Sequence, residues 1–250
     1  MRLTRVFVDE ALAGRESLRL TDDAANHVAR VLRLAVGDAL LLFDGQGGEY
    51  AATISQVDKR SVEVALGRHD PIERESPLRV TLLQGMARGE RMDLIIQKAT
   101  ELGVATIRPL RALRSSVKLD AAQAPRKLEH WQAVAISACE QSGRNRVPTL
   151  LPPLTVAEAC AADQGGLKLM LAIDGARPLS TLLREADAAT LARGITLLVG
   201  PEGGLDDAEE ASAHRAGFAS TLLGPRVLRT ETAPLAALAA LQTLAGDFAE

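Results

Sequence analysis

The sequence predicts an α/β protein in which a small β-barrel precedes a larger domain built on a mainly parallel sheet. Two observations carry that expectation. Near the start, three short β-rich runs are separated by turn signals. Beyond residue 77, apolar strand-like runs alternate with amphipathic helical segments, the texture of strands joined by crossover helices.

In chain order, Asp22 to Leu34 has helical spacing, with Ala25, Val28, Val31 and Leu32 apolar at three- and four-residue intervals. After Gly37-Asp38 the runs Ala39–Phe43, Glu49–Ile54 and Ser61–Leu66 read as strands, divided by Asp44-Gly45-Gln46-Gly47-Gly48 and Val57-Asp58-Lys59-Arg60. Arg68–Pro77 is charged, holds two prolines and lacks periodic apolar residues, so it reads as a linker. The division expected is a barrel over 1–70, a linker over 71–77 and an α/β domain over 78–250. In that domain Leu78–Gln84 is a buried-strand run. Arg88–Leu102 is a helix with Met92, Ile95, Ile96, Ala99 and Leu102 on one stripe and Gly103 as its stop. A strand over Val104–Pro109, a helix from Pro125 to about Ser142, and strands at Lys168–Ile173, Ile195–Val199 and Ser220–Leu223 follow.

Composition bounds the function. At 250 residues, 47% hydrophobic and 24% charged, the chain can bury a sizeable core, which excludes a disordered or fibrous protein. Met1-Arg2-Leu3-Thr4-Arg5 runs into Asp9 and Glu10 rather than a signal-peptide core, and no stretch approaches a membrane span. Cys139 and Cys160 have no metal-ligand spacing and are too few for a disulfide framework. A cytoplasmic protein with reduced thiols and no metal is expected. The net charge of -3 weighs against a nucleic-acid partner. Against that, Arg108, Arg111, Arg114, Lys118, Arg126 and Lys127 fall in one stretch opposed only by Asp120. Aromatics at 2% leave few platforms for stacking bases, so any RNA contact should be to phosphate and shape.

The chemistry concentrates in two loops. Ile195–Val199 ends abruptly in Gly200-Pro201-Glu202-Gly203-Gly204, and Thr221-Leu222-Leu223 ends in Gly224-Pro225-Arg226. Ligands of open α/β sheets bind at the carboxyl ends of strands, where glycines let them lie against bare backbone. Asp206 and Glu209 have the spacing of a capping box, which would pin the first loop to a following helix. From about Thr232 an apolar helix runs through Leu235, Leu238, Leu241 and Leu244. Neither loop has the Gly-Lys-Ser/Thr ending of a P-loop, and neither spells G-x-G-x-x-G. On spacing alone, turn chemistry explains Gly-Pro-Glu-Gly-Gly as well as a ligand site does.

The run Leu198-Val199-Gly200-Pro201-Glu202-Gly203-Gly204-Leu205, followed by Leu223-Gly224-Pro225-Arg226-Val227-Leu228-Arg229-Thr230-Glu231-Thr232-Ala233, closely resembles the RsmE family. These are 16S ribosomal RNA (uracil-N3)-methyltransferases of the SPOUT superfamily. Further likeness lies in Arg5–Val8, His27 through Arg33 with Gly37-Asp38, Gln97–Val104 and Glu140–Arg144. The resemblance implies a PUA-like β-barrel followed by a SPOUT-type, trefoil-knotted α/β methyltransferase domain, working as a homodimer. It implies S-adenosylmethionine as cofactor and, as substrate, one uridine of 16S rRNA within the small ribosomal subunit.

Residue by residue, the resemblance points to Leu198, Gly200, Glu202 and Gly204, with Leu223, Gly224, Val227 and Leu228, as the cofactor site. Leu198 and Leu223 are equally good strand core. Asp174-Gly175 is a further candidate wall. Uracil N3 carries a proton and is a poor nucleophile until that proton leaves, so a base or cations must assist. Arg229 and Arg226 are candidates to stabilise the developing charge or hold a phosphate, and Glu202 or Glu231 to take the proton or pin a loop. Arg5, Arg30 and Arg33 in the barrel and Lys98, Arg114 and Arg144 beyond it are the candidate RNA contacts. Lys98 with Glu101 also reads as a helix-surface pair, and Arg144 as a helix fastener. His27 reads as a half-buried structural histidine. His69, His130 and His214 have no partner visible in the sequence, and Cys139 and Trp131 read as packing. The rival readings are a ribose 2′-O-methyltransferase on the same fold, a non-catalytic RNA binder and a nucleotide-binding oxidoreductase.

Overall fold

Period-two alternation near the N-terminus produces a five-stranded sheet in the computed structural model, which describes residues 3–58, 61–120, 122–162, 165–173 and 175–249. Its strands are β1 (Thr4–Phe7), β2 (Ser17–Arg19), β3 (Ala39–Phe43), β4 (Glu49–Val57) and β5 (Val62–Asp70), in the order β1-β3-β4-β5-β2. β1 and β3 run parallel and the other pairs antiparallel. Register shifts between Tyr50 and Ala52 and between Ile54 and Gln56 interrupt the β4–β5 ladder, the kind of irregularity that bends and twists a strand. Val6, Val8, Leu18, Leu40, Leu42, Ile54, Val62 and Val64 fill the core on the inner face. β5 extends to Asp70, so Arg68-His69-Asp70 are strand and not linker.

The helix expected over Asp22–Leu34 is shorter. It is α-helical over α1 (Asp22–Asn26) and widens to a π-helical turn over His27–Val31. The Leu34 N–H then closes on the Val28 carbonyl at 3.1 Å, with Arg33 at φ 56°. That left-handed cap normally takes glycine. No glycine in the sequence announced it, which is why the apolar spacing carried the expectation past the end.

Beyond residue 75 the chain builds an eight-stranded sheet in which every pair is parallel. The elements run β6 (Val80–Gly85), α2 (Arg91–Glu101), β7 (Thr106–Arg111), α3 (Ala124–Ser142), β8 (Thr149–Leu150), β9 (Leu154–Thr155) and α4 (Val156–Ala162). They continue with β10 (Leu167–Leu171), β11 (Arg177–Pro178), α5 (Leu179–Glu185), α6 (Ala188–Ala192), β12 (Ile195–Val199), α7 (Asp207–Arg215), β13 (Ala219–Leu222) and α8 (Ala233–Ala245). The order is β11-β13-β10-β12-β6-β7-β8, with β9 beside β7. Every residue of β12 is buried, as a strand covered on both faces requires. One row of side chains, Leu83, Leu110, Met170 and Leu198, packs with Val156, Ala159 and Cys160 of α4 and Ala213 of α7. The alternate row, Leu82, Ile107, Leu169 and Leu197, is fully buried on the other face. Gly103, at φ +80°, ends α2.

The chain divides into two compact units, one of residues 1–75 with 136–147, the other of 76–135 with 148–250. In the first unit Arg5 donates to Glu49, to the Arg144 carbonyl at 3.0 Å and to Asn145 Oδ1 at 2.6 Å. Arg144 in turn holds Glu75, with Nε to Oε1 at 2.9 Å, and Asn145 donates to the Ile72 carbonyl at 2.7 Å. Burial pushes the Cys139 thiol up to about 12, against the pull of nearby Arg144 and Arg5. Among the described residues no helix is long and apolar enough to cross a membrane, and no group of three His, Cys, Asp or Glu could hold a metal.

Candidate functional site

Because β13, β10 and β12 are parallel neighbours, their carboxyl ends open side by side. The backbone that leaves them lines a cleft of about 710 Å³. The first wall is Gly200–Glu202 with Gly204 and Leu205 after β12, and the second is Leu223–Glu231 after β13. The third is Leu171, Ala172 and Ile173 at the end of β10. Of the Asp174-Gly175 pair expected there, Asp174 lies outside the described residues.

The first loop is fixed at both ends. Asp206 Oδ1 accepts from the Glu209 N–H at 2.8 Å while Glu209 Oε2 accepts from the Asp206 N–H at 3.0 Å, the capping box expected at the start of α7. The other Glu209 oxygen accepts from the Leu113 N–H at 2.9 Å. At the near end, Glu202 Oε1 accepts from the Arg88 N–H at 3.0 Å and from Arg91 Nη1 at 2.9 Å. Partial burial works to raise the Glu202 carboxyl. Hydrogen bonds from the Arg88 N–H, its own N–H and Arg91 outweigh it and hold the group below the ordinary glutamate value. Of the two roles expected for Glu202, a carboxylate so held suits the pin of its loop better than the proton acceptor. Arg91 also stands 3.8 Å from Glu231, so one guanidinium faces a carboxylate of each loop. Nothing in the residues marks out Arg91 beyond a charge on the first turn of α2, which reads as a solvated face.

A pH dependence follows with a definite sign. The depressed Glu202 carboxyl supports the loop above its unfolded value and loses that support as pH falls through its folded value. Ligand affinity of the cleft should therefore stay level through the neutral range and weaken only below about pH 4.3, the ordinary glutamate value. A titration of affinity against pH, beside Glu202→Gln, checks this; a midpoint near neutrality would contradict it.

Gly200, Glu202, Gly204, Leu223, Gly224, Val227 and Leu228 all line the cleft, as do Arg226 and Arg229. Leu198 does not. It is fully buried with Leu83, Met170 and Phe218, and the strand alternation gives its place at the cleft to Val199. Arg226 and Arg229 are exposed and make no side-chain hydrogen bond or ion pair among the described residues.

The other candidate cations part company. Arg5 and Arg144 are corrected from RNA contacts to internal ties: their side chains are 3% and 6% exposed and committed to Glu49 and Glu75. Lys98 is paired with Glu101 at 2.8 Å. Arg114 donates to the Leu205 carbonyl at 2.9 Å and so fastens the first loop. Arg30 and Arg33 are exposed around the π-helical turn. Two histidines without a partner in the sequence have one in the structure: His130 Nε2 lies 2.8 Å from Asp93, and His214 Nδ1 lies 3.0 Å from the Phe218 carbonyl.

Comparison with known proteins agrees with this geometry. Residues 74–242 match the model of an RNA methyltransferase domain, and residues 20–66 that of an RNA methyltransferase PUA domain. The chain is 33% identical over 254 residues to the ribosomal RNA small subunit methyltransferase E of Bacillus subtilis, covering 99% of this chain and 98% of that one. Its counterpart in Buchnera aphidicola from Acyrthosiphon pisum is 32% identical over 247 residues, covering 99% and 96%. Among solved structures, the enzyme of the same name from Neisseria gonorrhoeae, bound to S-adenosyl methionine, superposes with a TM-score of 0.91 at 40% identity, covering 99% of this chain and all of that one. A methyltransferase from Legionella pneumophila in complex with the same cofactor gives 0.93 at 37% identity and like coverage. Two glycine-bearing loops on β12 and β13, the strands that flank β10 in a parallel sheet, stand beside a PUA-type N-terminal segment and this likeness over nearly the whole chain: the chain belongs to the ribosomal RNA small subunit methyltransferase E family.

Proposed function

We propose that this enzyme transfers the methyl group of S-adenosylmethionine to N3 of one uridine in 16S rRNA of the small ribosomal subunit. The observation that carries the reading is the cleft at the ends of β10, β12 and β13. Its volume of about 710 Å³ lies within the range of small-molecule sites. The lining fits the cofactor: Leu171, Val199, Leu222, Leu223 and Leu228 offer apolar walls for a purine. Gly200, Gly204 and Gly224 leave bare backbone for its polar edges, and a Cβ at Gly204 or Gly224 would meet nothing within 4 Å. The cofactor would supply an already activated methyl group, so the chain's part is to orient it and to manage the uracil proton.

Arg226 and Arg229, exposed at the cleft and without a side-chain partner among the described residues, are the cations that stabilise negative charge on the uracil carbonyl oxygens as the N3 proton leaves. Of the two candidate acceptors, Glu231 keeps the longer contact to Arg91 and is the carboxylate with freedom to receive that proton. N3 lies on the Watson-Crick edge, so the target base must be unpaired or flipped out. Residues 1–70 form the RNA-docking barrel, with Arg30 and Arg33 on its outer surface, residues 71–77 the linker, and 78–250 the trefoil-knotted SPOUT domain. The enzyme works in the cytoplasm as a homodimer and without a metal.

The test is incubation with labelled S-adenosylmethionine and small subunits from cells lacking the modification, followed by mapping of the labelled nucleoside. Label on N3 of uridine is expected. Label on a ribose would replace the reading with the 2′-O-transferase, and tight RNA binding without transfer would replace it with a binding protein.

A further inference from the structure

The two glycine loops leave different strands, yet a single buried hydroxyl spans them. Thr230 Oγ1 donates to the Gly200 carbonyl at 3.0 Å and lies 3.5 Å from Gln84 Nε2. Gln84, at the end of β6, is fully buried and donates from the same nitrogen to the Gly85 carbonyl at 2.9 Å. Its Oε1 is buried without a hydrogen-bond partner among the described residues, so its amide orientation is held from the nitrogen side. Thr230 itself is 8% exposed and lines the cleft. Only a hydroxyl can give to Gly200 and receive from Gln84 at once. The other tie between the loops, through Arg91, is 41% exposed, where solvent screens an ion pair.

We infer that Thr230 is a positioning residue: its hydroxyl fixes the Gly200 carbonyl and the separation of the two loops, and so sets the geometry in which the methyl donor is held. This rests on the reading of the cleft as the cofactor site. Thr230→Val keeps the shape but presents a methyl to a buried carbonyl, Thr230→Ala leaves space there, and Thr230→Ser keeps the hydroxyl. Val and Ala are expected to weaken S-adenosylmethionine affinity about tenfold or more, with Ser within about twofold of the parent. The kcat should fall with Val while KM for the RNA stays level, since the defect lies in the donor's placement. Amide hydrogen exchange of residues 200–205 in the cofactor-free protein should speed up in Val and Ala and not in Ser.

That last measurement stands apart from the cofactor. If the parent protein fails to bind S-adenosylmethionine, the functional reading falls, while the exchange pattern still decides whether Thr230 ties the loops. Unchanged exchange and affinity in both Val and Ala would overturn the inference. So would a Ser variant as impaired as Val, because packing of the threonine methyl would then be the cause.

Discussion

Gly85→Ala is expected to cripple cofactor binding although Gly85 does not line the cleft. A Cβ on Gly85 would stand 2.4 Å from Pro201 N, 2.6 Å from Pro201 Cδ and 2.8 Å from the Gly200 carbonyl carbon. These are backbone and ring atoms of the first loop, and the loop cannot step aside freely. Thr230 holds the Gly200 carbonyl, Arg88 and Arg91 hold Glu202, and Arg114 holds the Leu205 carbonyl. Overpacking of this kind costs about 1–3 kcal/mol. Taken up wholly by the loop, that is roughly a five- to 150-fold loss of affinity, readable by calorimetric titration. Gly200→Val adds a smaller clash, 3.2 Å from Gly204 and Leu205. Gly224→Val has open space but a φ of +87° that a β-branched residue resists. Undiminished affinity in Gly85→Ala would mean that the loop does not lie against β6 as the structure has it.

Arg5→Met should be the most destabilising single change in the N-terminal unit. Arg5 is 3% exposed, stands over the Phe43 ring at 4.8 Å and serves three acceptors: Glu49, the Arg144 carbonyl and Asn145 Oδ1. Its removal leaves Glu49, itself 8% exposed, with only the half-exposed Arg74 at 3.1 Å. Breaking a buried ion pair from one side costs about 3–5 kcal/mol, because the remaining charge stays dehydrated. Denaturant unfolding followed by circular dichroism checks it. Arg5→Lys should rescue little, since an ammonium cannot reproduce the guanidinium fork over three acceptors. An unchanged midpoint with weakened RNA binding would instead return Arg5 to the nucleic-acid surface.

Much of this was legible in the residues. β12 matches its expected bounds, Ile195–Val199, because a five-residue apolar run ending in Gly-Pro leaves little latitude. The capping box at Asp206 and Glu209 and the stop at Gly103 follow from local hydrogen-bond chemistry, and local chemistry is what a sequence displays. β8, β9 and β11 went unseen, since two residues cannot show a period. The errors at the site share a different cause. The partner that buries Arg5 is 44 positions away and that of Arg144 is 69 positions away, so both looked like exposed cations. Leu198, read equally as strand core, turns its side chain into that core, because one step along a strand moves a side chain to the opposite face and leaves the cleft to Val199. Arg91 gained its meaning only when the loop bearing Glu202, 111 residues further on, came back against α2.

The division of the N-terminal unit into residues 1–75 and 136–147 bears on how the molecule is made. A ribosome delivers the five strands first, but the turn that supplies Arg144 and Asn145 to Arg5 emerges about 70 residues after the last of the first segment. Until then the guanidinium of Arg5 has Glu49 but neither the Arg144 carbonyl nor Asn145, and the carboxylate of Glu75 has yet to meet Arg144. The strands therefore reach their final stability only once part of the second unit has already left the exit tunnel, and residues 1–75 expressed alone should behave as an unfinished fold.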